Sequence, residues 1–403
     1  MIINNKEYII NRDTAKVTEW DKVYCNILKE ILDSGELCPN RTGIETLSIP
    51  NVYINLNVGN EFPILETKKV AMKNTITELL WIYQAQSNKV SWLHERDNHI
   101  WDEWIIDNDG IYRIYDPFIK ENKGIKVPVK YPSGSYYSYP DGDPIETESK
   151  NSNKTIKDAI YYGEKYAGTI GEAYGYVLNQ TKEFDNVLNS LKTNPRNRRM
   201  VVSLRQNEFL KNGVLEPCVW NTTYKLYKNK LNSTVSIRSN DMPLGNPFNV
   251  TQYAVLLSIL AKINNFEVGE ISFTISDCHI YINQLKGIRL QLERFNRLIK
   301  WENFIKNNDD NVIEKEYNEL IYRKEYLDKK IKDMPILKND YEEIINDVKE
   351  EIMCLEHLIT RENPELYVAP NKDFYELDNK KDNDDIKILK YTSLPTIKMP
   401  VAQ

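Results

Sequence analysis

The sequence predicts an α+β fold for this chain of 403 residues. Apolar residues recur at helical spacing from Trp20 to Leu32, which indicates an amphipathic helix. Short apolar runs around 52–56 and 63–65 are typical of strands. Two further stretches, 76–83 and 250–263, are apolar almost all round and therefore predict buried helices. These elements together predict a globular core made of both helices and strands.

The first helix has a predicted end as well as a predicted face. Gly35 follows the last apolar residue of the repeat and is well placed as the C-terminal cap of the helix. Residues 41–48 (Arg-Thr-Gly-Ile-Glu-Thr-Leu-Ser) then look like a loop that leads into the strands. This part of the chain is therefore expected to run from helix through loop to sheet.

The apolar helix at 76–83 carries one carboxylate, Glu78. Burial of an ionised carboxylate is costly unless it has partners, so its presence there calls for a reason. An apolar setting should raise the pKa of Glu78 towards the working pH, as general acid–base catalysis requires. A buried structural salt bridge is the alternative explanation.

Residues 105–167 differ in character from the core. The stretch 131–144 is dense in turn-forming residues and tyrosines and poor in aliphatic residues, which predicts an irregular excursion. Its aromatic rings could stack on bases or sugars. A surface loop packed on its own rings is the simpler interpretation, and no function is assigned to it.

Residues 295–361 form a second departure. Ile345, Val348 and Ile352 begin a stripe that steps by three and four residues, and a matching stripe runs from Ile313 to Ile331. The segment 334–339 (Met-Pro-Ile-Leu-Lys-Asn) lies between the stripes as a turn. The pattern predicts an antiparallel helical hairpin, whose charged faces are most simply solvated, although a partner-binding arm is the alternative.

Composition excludes several classes of protein. The net charge of −6 argues against a general nucleic-acid binder, so any phosphate site must be a local arginine cluster. The five cysteines form no C-x-x-C pair, which supports neither a zinc site nor a disulfide framework and favours a reducing cytoplasm. We find no signal-peptide core and no apolar stretch long enough to span a bilayer, so no membrane is expected.

Cys218 is the most informative residue of the chain. It follows Leu-Glu-Pro and precedes Arg238-Ser239 and then Asn249. A lone cysteine reads as a nucleophile more readily than as half a disulfide, although a buried inert cysteine is the common alternative. The arginine and serine can bind an anion, and the carboxamide can recognise a heterocycle. The combination indicates covalent chemistry on a nucleotide.

Several motifs stand in order along the chain. They are Arg-Thr-Gly at 41–43, Phe-Pro-Ile-Leu-Glu-Thr-Lys-Lys at 62–69, Thr-Glu-Leu-Leu-Trp at 77–81, Ile-Trp-Asp-Glu-Trp at 100–104, Arg-Arg at 198–199, Pro-Cys at 217–218, Arg-Ser-Asn-Asp at 238–241, Pro-Phe-Asn at 247–249, Asp-Cys-His-Ile-Tyr at 277–281 and Pro-Val-Ala-Gln at 400–403. Each is weak alone, but their order and spacing argue against chance agreement. The chain resembles the thymidylate synthase family over roughly 19–104, 168–294 and 362–403.

The resemblance implies a single catalytic domain over residues 1–403. Its fold would be a large mixed sheet covered by helices on one face and backed by a partner subunit on the other, that is, a sheet-backed homodimer. Residues 105–167 and 295–361 lie outside the resemblance. They are therefore predicted to be two insertions within that domain.

The resemblance assigns the phosphate of dUMP to arginines and a serine. Arg41, Arg238 and Ser239 would grip it, while Arg198 and Arg199 would reach it across the dimer interface from the other subunit. Arginine suits this task because its planar fork donates two hydrogen bonds to phosphate at once. A surface ion pair is the ordinary alternative for Arg198 and Arg199 taken alone.

The resemblance assigns the base and the ribose to three further residues. Asn249 matches the carboxamide that donates to oxygen 4 and accepts from N3–H of uracil; related cytosine hydroxymethylases have an aspartate there, so asparagine favours dUMP. A turn asparagine is the alternative for Asn249 taken alone. His279 and Tyr281 match the pair that holds the ribose 3′-hydroxyl.

The resemblance also assigns the catalytic roles. Cys218 would add as a thiolate to carbon 6 of uracil, with positive charge from Arg238 favouring the thiolate. Glu78 matches the glutamate that organises water and moves protons, and Tyr174 matches the tyrosine implicated in removing the carbon 5 proton. Asn249 belongs to the catalytic set through its contact with the reacting base.

The folate side is implied in the same way. Trp101 would form an aromatic wall, Asp241 would bind the pterin, and Lys68 would lie near the folate tail. Gly245 and Ala402 are expected on the same side. The co-substrate would be 5,10-methylenetetrahydrofolate, which supplies both the carbon and the hydride, so neither a metal nor a nicotinamide is required.

The implied function is the methylation of dUMP to dTMP in the cytoplasm. Partners would be dUMP, the reduced folate and a second subunit, with no nucleic acid and no membrane. The nearest alternative is a deoxypyrimidine nucleotide hydroxymethylase on the same scaffold, which uses the same nucleophile but releases the carbon after water addition. A catalytically idle relative that acts as a binding protein is the alternative from another class.

Overall fold

The structure is a computed structural model that describes residues 1–3, 6–40, 42–116, 119, 124–151, 153–380 and 385–401. The helices are α1 (Glu19–Ser34), α2 (Met72–Tyr83), α3 (Ser91–His94), α4 (Gly175–Thr181), α5 (Glu183–Thr193), α6 (Gly245–Ile263), α7 (Leu285–Asn307), α8 (Asp310–Asp333) and α9 (Lys338–Thr360). The strands are β1 (Ile2–Ile3), β2 (Lys6–Glu7), β3 (Glu36–Cys38), β4 (Thr46–Asn57), β5 (Ile111–Tyr115), β6 (Lys126–Lys130), β7 (Glu146–Glu148), β8 (Ile156–Tyr161), β9 (Val201–Ser203), β10 (Val219–Tyr227), β11 (Lys230–Ile237), β12 (Asn240–Asp241), β13 (Glu267–Tyr281), β14 (Glu365–Val368) and β15 (Ile386–Leu389).

A large mixed sheet organises the chain. Its strands follow the order β3-β4-β13-β11-β10-β9, and β12 pairs with the end of β13. Strands β11 and β13 are parallel, whereas β4 and β13 are antiparallel. The mixture of helices with a mixed sheet confirms the predicted α+β class.

The two faces of the sheet have different surroundings. On β13, Ile271, Phe273 and Ile275 are buried against the helical layer that includes α6, while Thr274 between them is exposed. Tyr53 of β4 is 64% exposed and donates a hydrogen bond to Ser272 of β13. One face of the sheet is therefore covered by helices of the same chain, and the other is largely open.

The helices expected from the sequence are present. Thr18 caps α1 by accepting a hydrogen bond from the Asp21 backbone N–H, and Gly35 ends the same helix with its N–H on the Ile31 carbonyl. The stretch 76–83 lies within α2, and α6 is buried along almost its whole length. Among the described helices, none is long and apolar enough to cross a membrane.

Two details of the prediction were wrong, and one element was missed. Residues 63–65 form no strand, although Ile64 and Leu65 are fully buried, because an irregular segment there fills the core with its side chains. The helix predicted from residue 250 begins earlier, at Gly245, so 245–249 form its first turn. Strands β5, β8, β6 and β7 form a four-stranded sheet within 105–167 that was not predicted, while the stretch 131–144, expected to be irregular, lies between β6 and β7 and contains none of these strands.

The four-stranded sheet escaped sequence analysis because its core is small. Ile111, Val129, Ile156 and Ala159 form an apolar cluster of their own, to which β5 and β6 contribute one residue each, β8 contributes two and β7 contributes none. Tyr137 stacks beside this cluster on Tyr161 with ring centroids 4.3 Å apart. Packing of tyrosines thus replaces the aliphatic alternation by which a strand is usually recognised.

The helical hairpin forms where the two stripes predict it. Helices α8 and α9 are antiparallel, since Tyr317 near the start of α8 donates a hydrogen bond of 2.6 Å to Glu356 near the end of α9. A short 3-10 turn, Pro335–Leu337, joins them. The boundary predicted at residue 295 falls inside α7, so the hairpin continues from a helix of the core.

Candidate active site

Cys218 lies immediately before β10, at the edge of the helix-covered core. Its carbonyl accepts a 3.0 Å hydrogen bond from the Arg238 backbone N–H, which joins the start of β10 to the end of β11. Pro217 beside it is buried, while the cysteine itself is half-buried. The neighbouring strand holds the thiol in place and leaves it partly accessible.

The Arg238 side chain packs against the same turn. Its guanidinium donates to the Pro217 carbonyl at 3.1 Å and to the Glu216 carbonyl at 2.8 Å. The cation is thus fixed to the backbone that carries Cys218, and over a third of its side chain remains exposed. The structure brings the predicted cation and the predicted nucleophile together.

Tyr174 is a further neighbour of the cysteine. The phenol forms a hydrogen bond with the backbone of Cys218. Burial is the main cause that raises the pKa of Tyr174 well above its ordinary value, and the proximity of Cys218 and Glu78 adds to it. The hydroxyl therefore stays protonated at neutral pH and can act as a hydrogen-bond donor.

The backbone of Tyr174 is strained. It precedes α4 with φ of 49° and ψ of −108°, a left-handed conformation that a bulky residue rarely adopts. Such strain persists where the surroundings over-determine the position, and it is common at functional sites. Here the edge contact of the ring with Trp101, with centroids 5.3 Å apart, helps to hold it.

Glu78 on α2 is held by two donors. The Trp101 indole N–H donates to Oε1 at 2.7 Å, and the Gln252 amide of α6 donates to Oε2 at 2.9 Å. Burial raises the pKa of Glu78 above its ordinary value, while the two hydrogen bonds act in the opposite direction. Two neutral donors therefore orient the carboxyl group. Among the described side chains, no cation forms a salt bridge with it.

A carboxylate that the sequence analysis did not select organises the other side of the site. Asp277 of β13 accepts a hydrogen bond from Ser239 at 3.1 Å and another from Ser48 of β4, and His279 Nδ1 lies 3.3 Å from it. These neighbours, His279 first, lower the pKa of Asp277 to about 2. Tyr281 completes the group, with its ring 5.3 Å from that of His279.

Asn249 lies in the first turns of α6 and is positioned by a buried amide. Asn240 donates to Asn249 Oδ1 at 3.0 Å and accepts from Asn246 at 2.5 Å. Asn240 and Asn249 border the space beside the α-carbon of Gly245, where an added β-carbon would lie 3.7 Å and 3.9 Å from them. The amide of Asn249 is therefore held by a chain of asparagines, and its Nδ2 donates no hydrogen bond within that chain.

Asp241 and the C-terminal segment meet at Gln284. The Gln284 amide nitrogen lies 3.1 Å from Asp241 Oδ2 and 3.3 Å from the Pro400 carbonyl. Burial, above all, raises the pKa of Asp241. Gln284 thus joins the predicted pterin-binding acid to the C-terminal segment at Pro400.

Lys68 is placed differently from the expectation of a lysine beside a folate tail. Its side chain is buried, and its ammonium donates to the Pro243 carbonyl. Burial lowers the pKa of Lys68 to about 8. This contact braces the segment after Asp241, and the role at the folate tail stays a prediction.

Two arginines lie apart from these groups within one chain. Arg198 and Arg199 are exposed, and no hydrogen bond or ion pair joins either guanidinium to another described residue. Donation across a subunit interface therefore stays a prediction. Arg41 and Ala402 lie outside the described residues.

Four positioning residues were missed by sequence analysis: Gln252, Asp277, Asn240 and Gln284. Gln252 had a visible signal, because it is a polar residue inside an apolar run of α6. Asp277 and Asn240 stand inside two of the quoted motifs but received no functional role there, and Gln284 gave no signal, since the partners of these residues lie on other strands or helices. Gln284 and Pro400, for example, are 116 residues apart.

Comparisons with known proteins agree on one family. The family model described as thymidylate synthase matches residues 22–334. A thymidylate synthase of Clostridium beijerinckii is 32% identical over 277 residues, covering 69% of this chain and 83% of the relative. That of Bacillus mojavensis is 34% identical over 288 residues, covering 69% and 85%.

The solved structures include a similar fold. Thermostable thymidylate synthase A from Bacillus subtilis superposes with a TM-score of 0.55 at 27% identity. The superposition covers 93% of this chain and 96% of that one.

Proposed function

Because the chain belongs to the thymidylate synthase family, we propose that Cys218 is the nucleophile with which it methylates dUMP to dTMP. The enzyme class, a methyltransferase of dTMP biosynthesis, follows from the family. The assignment of Cys218 is supported by one observation above all. Tyr174 bonds to the backbone of Cys218 and contacts Trp101, which in turn holds Glu78.

The residues around Cys218 fit the steps that the reaction requires. The thiolate adds to carbon 6 of uracil, and the resulting enolate attacks the one-carbon unit of the folate at carbon 5. Tyr174 lies against the nucleophile and is suited to a role in loss of the carbon 5 proton. Glu78, with its raised pKa, can move protons at the base and at the leaving folate nitrogen.

We assign the nucleotide to the side of the site formed by β11 and β13. Arg238 and Ser239, with Arg41, would bind the phosphate, and His279 with Tyr281 would bind the ribose. Asp277 is fully ionised at neutral pH and orients both Ser239 and His279. The roles of Arg238, Ser239 and His279 are supported by the contact of Arg238 with the turn at Cys218 and by the proximity of Asp277 to Ser239 and His279.

We assign 5,10-methylenetetrahydrofolate to the side formed by Trp101 and Asp241. It supplies the carbon and, as the leaving tetrahydrofolate, the hydride that completes the methyl group. Gly245 and Ala402 belong to the same side in this assignment. The contact of Gln284 with both Asp241 and the Pro400 carbonyl supports a C-terminal segment that covers the folate.

We further propose a homodimer in the cytoplasm. The open face of the main sheet, with Tyr53 exposed on it, offers a surface for the second subunit. Arg198 and Arg199 would reach the partner's phosphate site from such an interface. None of the five cysteines forms a disulfide, which fits a reducing compartment.

The deciding experiment follows the nucleotide product by mass spectrometry while dihydrofolate formation is recorded. Methylated nucleotide with one dihydrofolate per turnover is the expected result. A hydroxymethyl product without dihydrofolate would identify a hydroxymethylase, and no product would favour a binding protein.

The role of Cys218 is tested by Cys218→Ala, with Cys38→Ala as the matched control. Both cysteines are partly exposed, but Cys38 lies on the edge strand β3, which three strands of the sheet separate from β10. Cys218→Ala should bind dUMP and form no covalent adduct, while Cys38→Ala should turn over normally. Full turnover by Cys218→Ala would overturn the assignment.

The role of Asn249 is tested by Asn249→Asp. We expect this variant to lose selection for dUMP over dCMP, because a carboxyl group can pair with the amino group of cytosine. The measurement is the ratio of kcat/KM for the two nucleotides. Unchanged discrimination would remove Asn249 from base recognition.

A further inference from the structure

Three potential metal ligands converge beside the proposed folate wall. His94 at the end of α3, His99 and Asp102 each place one ligand atom within 4.8 Å of the others. His94 Nε2 lies 2.6 Å from Asp102 Oδ1, and His99 Nδ1 lies 2.9 Å from Asp102 Oδ2. The carboxylate thus stands between two imidazoles.

The two imidazole rings lie against each other. They stack with centroids 4.8 Å apart and an interplanar angle of 29°. Each ring directs one nitrogen towards the same carboxylate, so both nitrogens lie close enough to share one ion. Imidazole nitrogen is the commonest metal ligand in proteins.

The side chains are accessible to an ion and free to adjust. The exposed fraction is 39% for His94, 60% for His99 and 42% for Asp102. Tetrahedral zinc has bonds of about 2.0–2.2 Å to nitrogen and oxygen, so its ligand atoms are farther apart than a hydrogen bond requires. Small rotations of exposed side chains would open this space.

We propose that His94, His99 and Asp102 bind one divalent transition-metal ion, of which Zn²⁺ is the representative. A set of two imidazoles and one carboxylate binds such ions in preference to Mg²⁺ or Ca²⁺, which prefer oxygen ligands. Water fills the remaining coordination positions. The site is separate from the methyl-transfer chemistry, to which this ion contributes no step.

The ion would act as a clamp on the segment that carries Trp101. Asp102 begins the 3-10 turn Asp102–Trp104, directly after Trp101, while His94 ends α3. A shared ion therefore ties α3 to the turn that follows the tryptophan. Since the Trp101 indole donates to Glu78, the clamp would limit the movement of that contact.

The test uses full-length protein from which any histidine tag has been removed. Zn²⁺ is titrated by calorimetry, and Co²⁺ is titrated while the absorption spectrum is recorded. Cobalt is included because thiolate ligands produce intense charge-transfer bands, so binding at a cysteine is recognised directly. The matched variants are His99→Asn, His94→Asn/His99→Asn and, as a control, Glu103→Gln, which removes a neighbouring surface carboxylate paired with Lys154.

We expect one Zn²⁺ per chain, tenfold or more weaker binding by His99→Asn, and no binding at this site by the double variant. Glu103→Gln should bind as the parent does. The affinity should be lower in acidic buffer, because protons compete with a metal ion for its ligands. Bound ion should also raise the melting temperature of the parent and leave that of the double variant unchanged.

Three results would overturn the proposal. The first is the absence of saturable binding at pH 7.5, which would leave the triad as a hydrogen-bonded clamp without an ion. The second is equal binding by the parent and the double variant, and the third is the appearance of thiolate bands in the cobalt spectrum. Both variants alter exposed side chains, and circular dichroism verifies that they remain folded.

Discussion

A buried arginine at the end of the helical hairpin provides the sharpest test of how this fold is held together. Arg361 follows α9, and its side chain is 0% exposed. It donates to Glu66 at 2.6 Å, to the Thr14 carbonyl at 2.9 Å, to Asn363 at 3.0 Å and to Glu61 at 3.4 Å. One cation therefore joins the hairpin to the segment that precedes Lys68.

Replacement of Arg361 by methionine should be strongly destabilising. Glu66 is itself only 3% exposed. Once the guanidinium is removed, His357, whose Nε2 lies 3.0 Å from Glu66 Oε2, is the described ionisable side chain that remains beside it. Loss of one partner from a buried ion pair costs about 3–5 kcal/mol, because the remaining charge stays buried without compensation. Methionine preserves most of the apolar volume, so the effect reports the charge and its hydrogen bonds.

The control is Arg12→Met, which removes the same chemical group from an exposed pair. Arg12 lies 2.7 Å from Asp310, but the two side chains are 42% and 55% exposed. Such pairs contribute about 0–1 kcal/mol, so this variant should unfold close to the parent. The comparison separates burial from ion pairing as such.

The assay is urea unfolding followed by tryptophan fluorescence at one fixed protein concentration, because the proposed dimerisation would make stability depend on concentration. Adding Glu66→Gln to Arg361→Met should restore part of the lost stability, since a neutral amide without a partner is less costly to bury than a carboxylate without a partner. The reasoning would be refuted if Arg361→Met lowered the free energy of unfolding by less than about 1 kcal/mol, or if Arg361→Met and Arg12→Met lowered it equally.

Three further predictions concern the proposed active site. Glu78→Gln should lower kcat and should simplify the pH profile of kcat/KM. The profile should lose one ionisation above the ordinary glutamate range, because burial raises the pKa of this carboxyl. An unchanged profile contradicts the proposed role of Glu78. Asp277→Asn should raise the KM for dUMP more than it lowers kcat, since His279 loses its orienting carboxylate. The pKa of Asp277 is lowered to about 2, so the stability that this carboxylate contributes is present above pH 3.8 and is lost as the pH falls through 2. Acid unfolding of the parent and of Asp277→Asn measures this contribution, and identical unfolding curves would disprove it. Tyr174→Phe retains the ring but loses the hydrogen bond to Cys218, so kcat should fall while dUMP affinity, measured by calorimetry, stays unchanged; an unaltered kcat argues against it.

Much of the fold could be predicted from local patterns of apolar residues in the sequence. The three-and-four spacing of α8 and α9 located the hairpin and its turn, and the uniformly apolar stretch at 250–263 located α6. The motif resemblance selected the residues around Cys218 before any contact was known. The four-stranded sheet within 105–167 was missed because its small core leaves almost no alternation in the sequence.

The amino-acid sequence alone determined which chemical groups the protein possesses, because a nucleophile, a buried carboxylate or an arginine motif is a matter of residue type and short spacing. Only the tertiary structure decided which polar groups position them. Ser48 and Asp277 are 229 residues apart, and their contact exists because β4 and β13 pair in one particular register. The same holds for Gln252 beside Glu78, since two helices must pack before the amide and the carboxylate meet. Long-range pairing of this kind depends on the free energy of the whole fold, which no short segment of sequence contains.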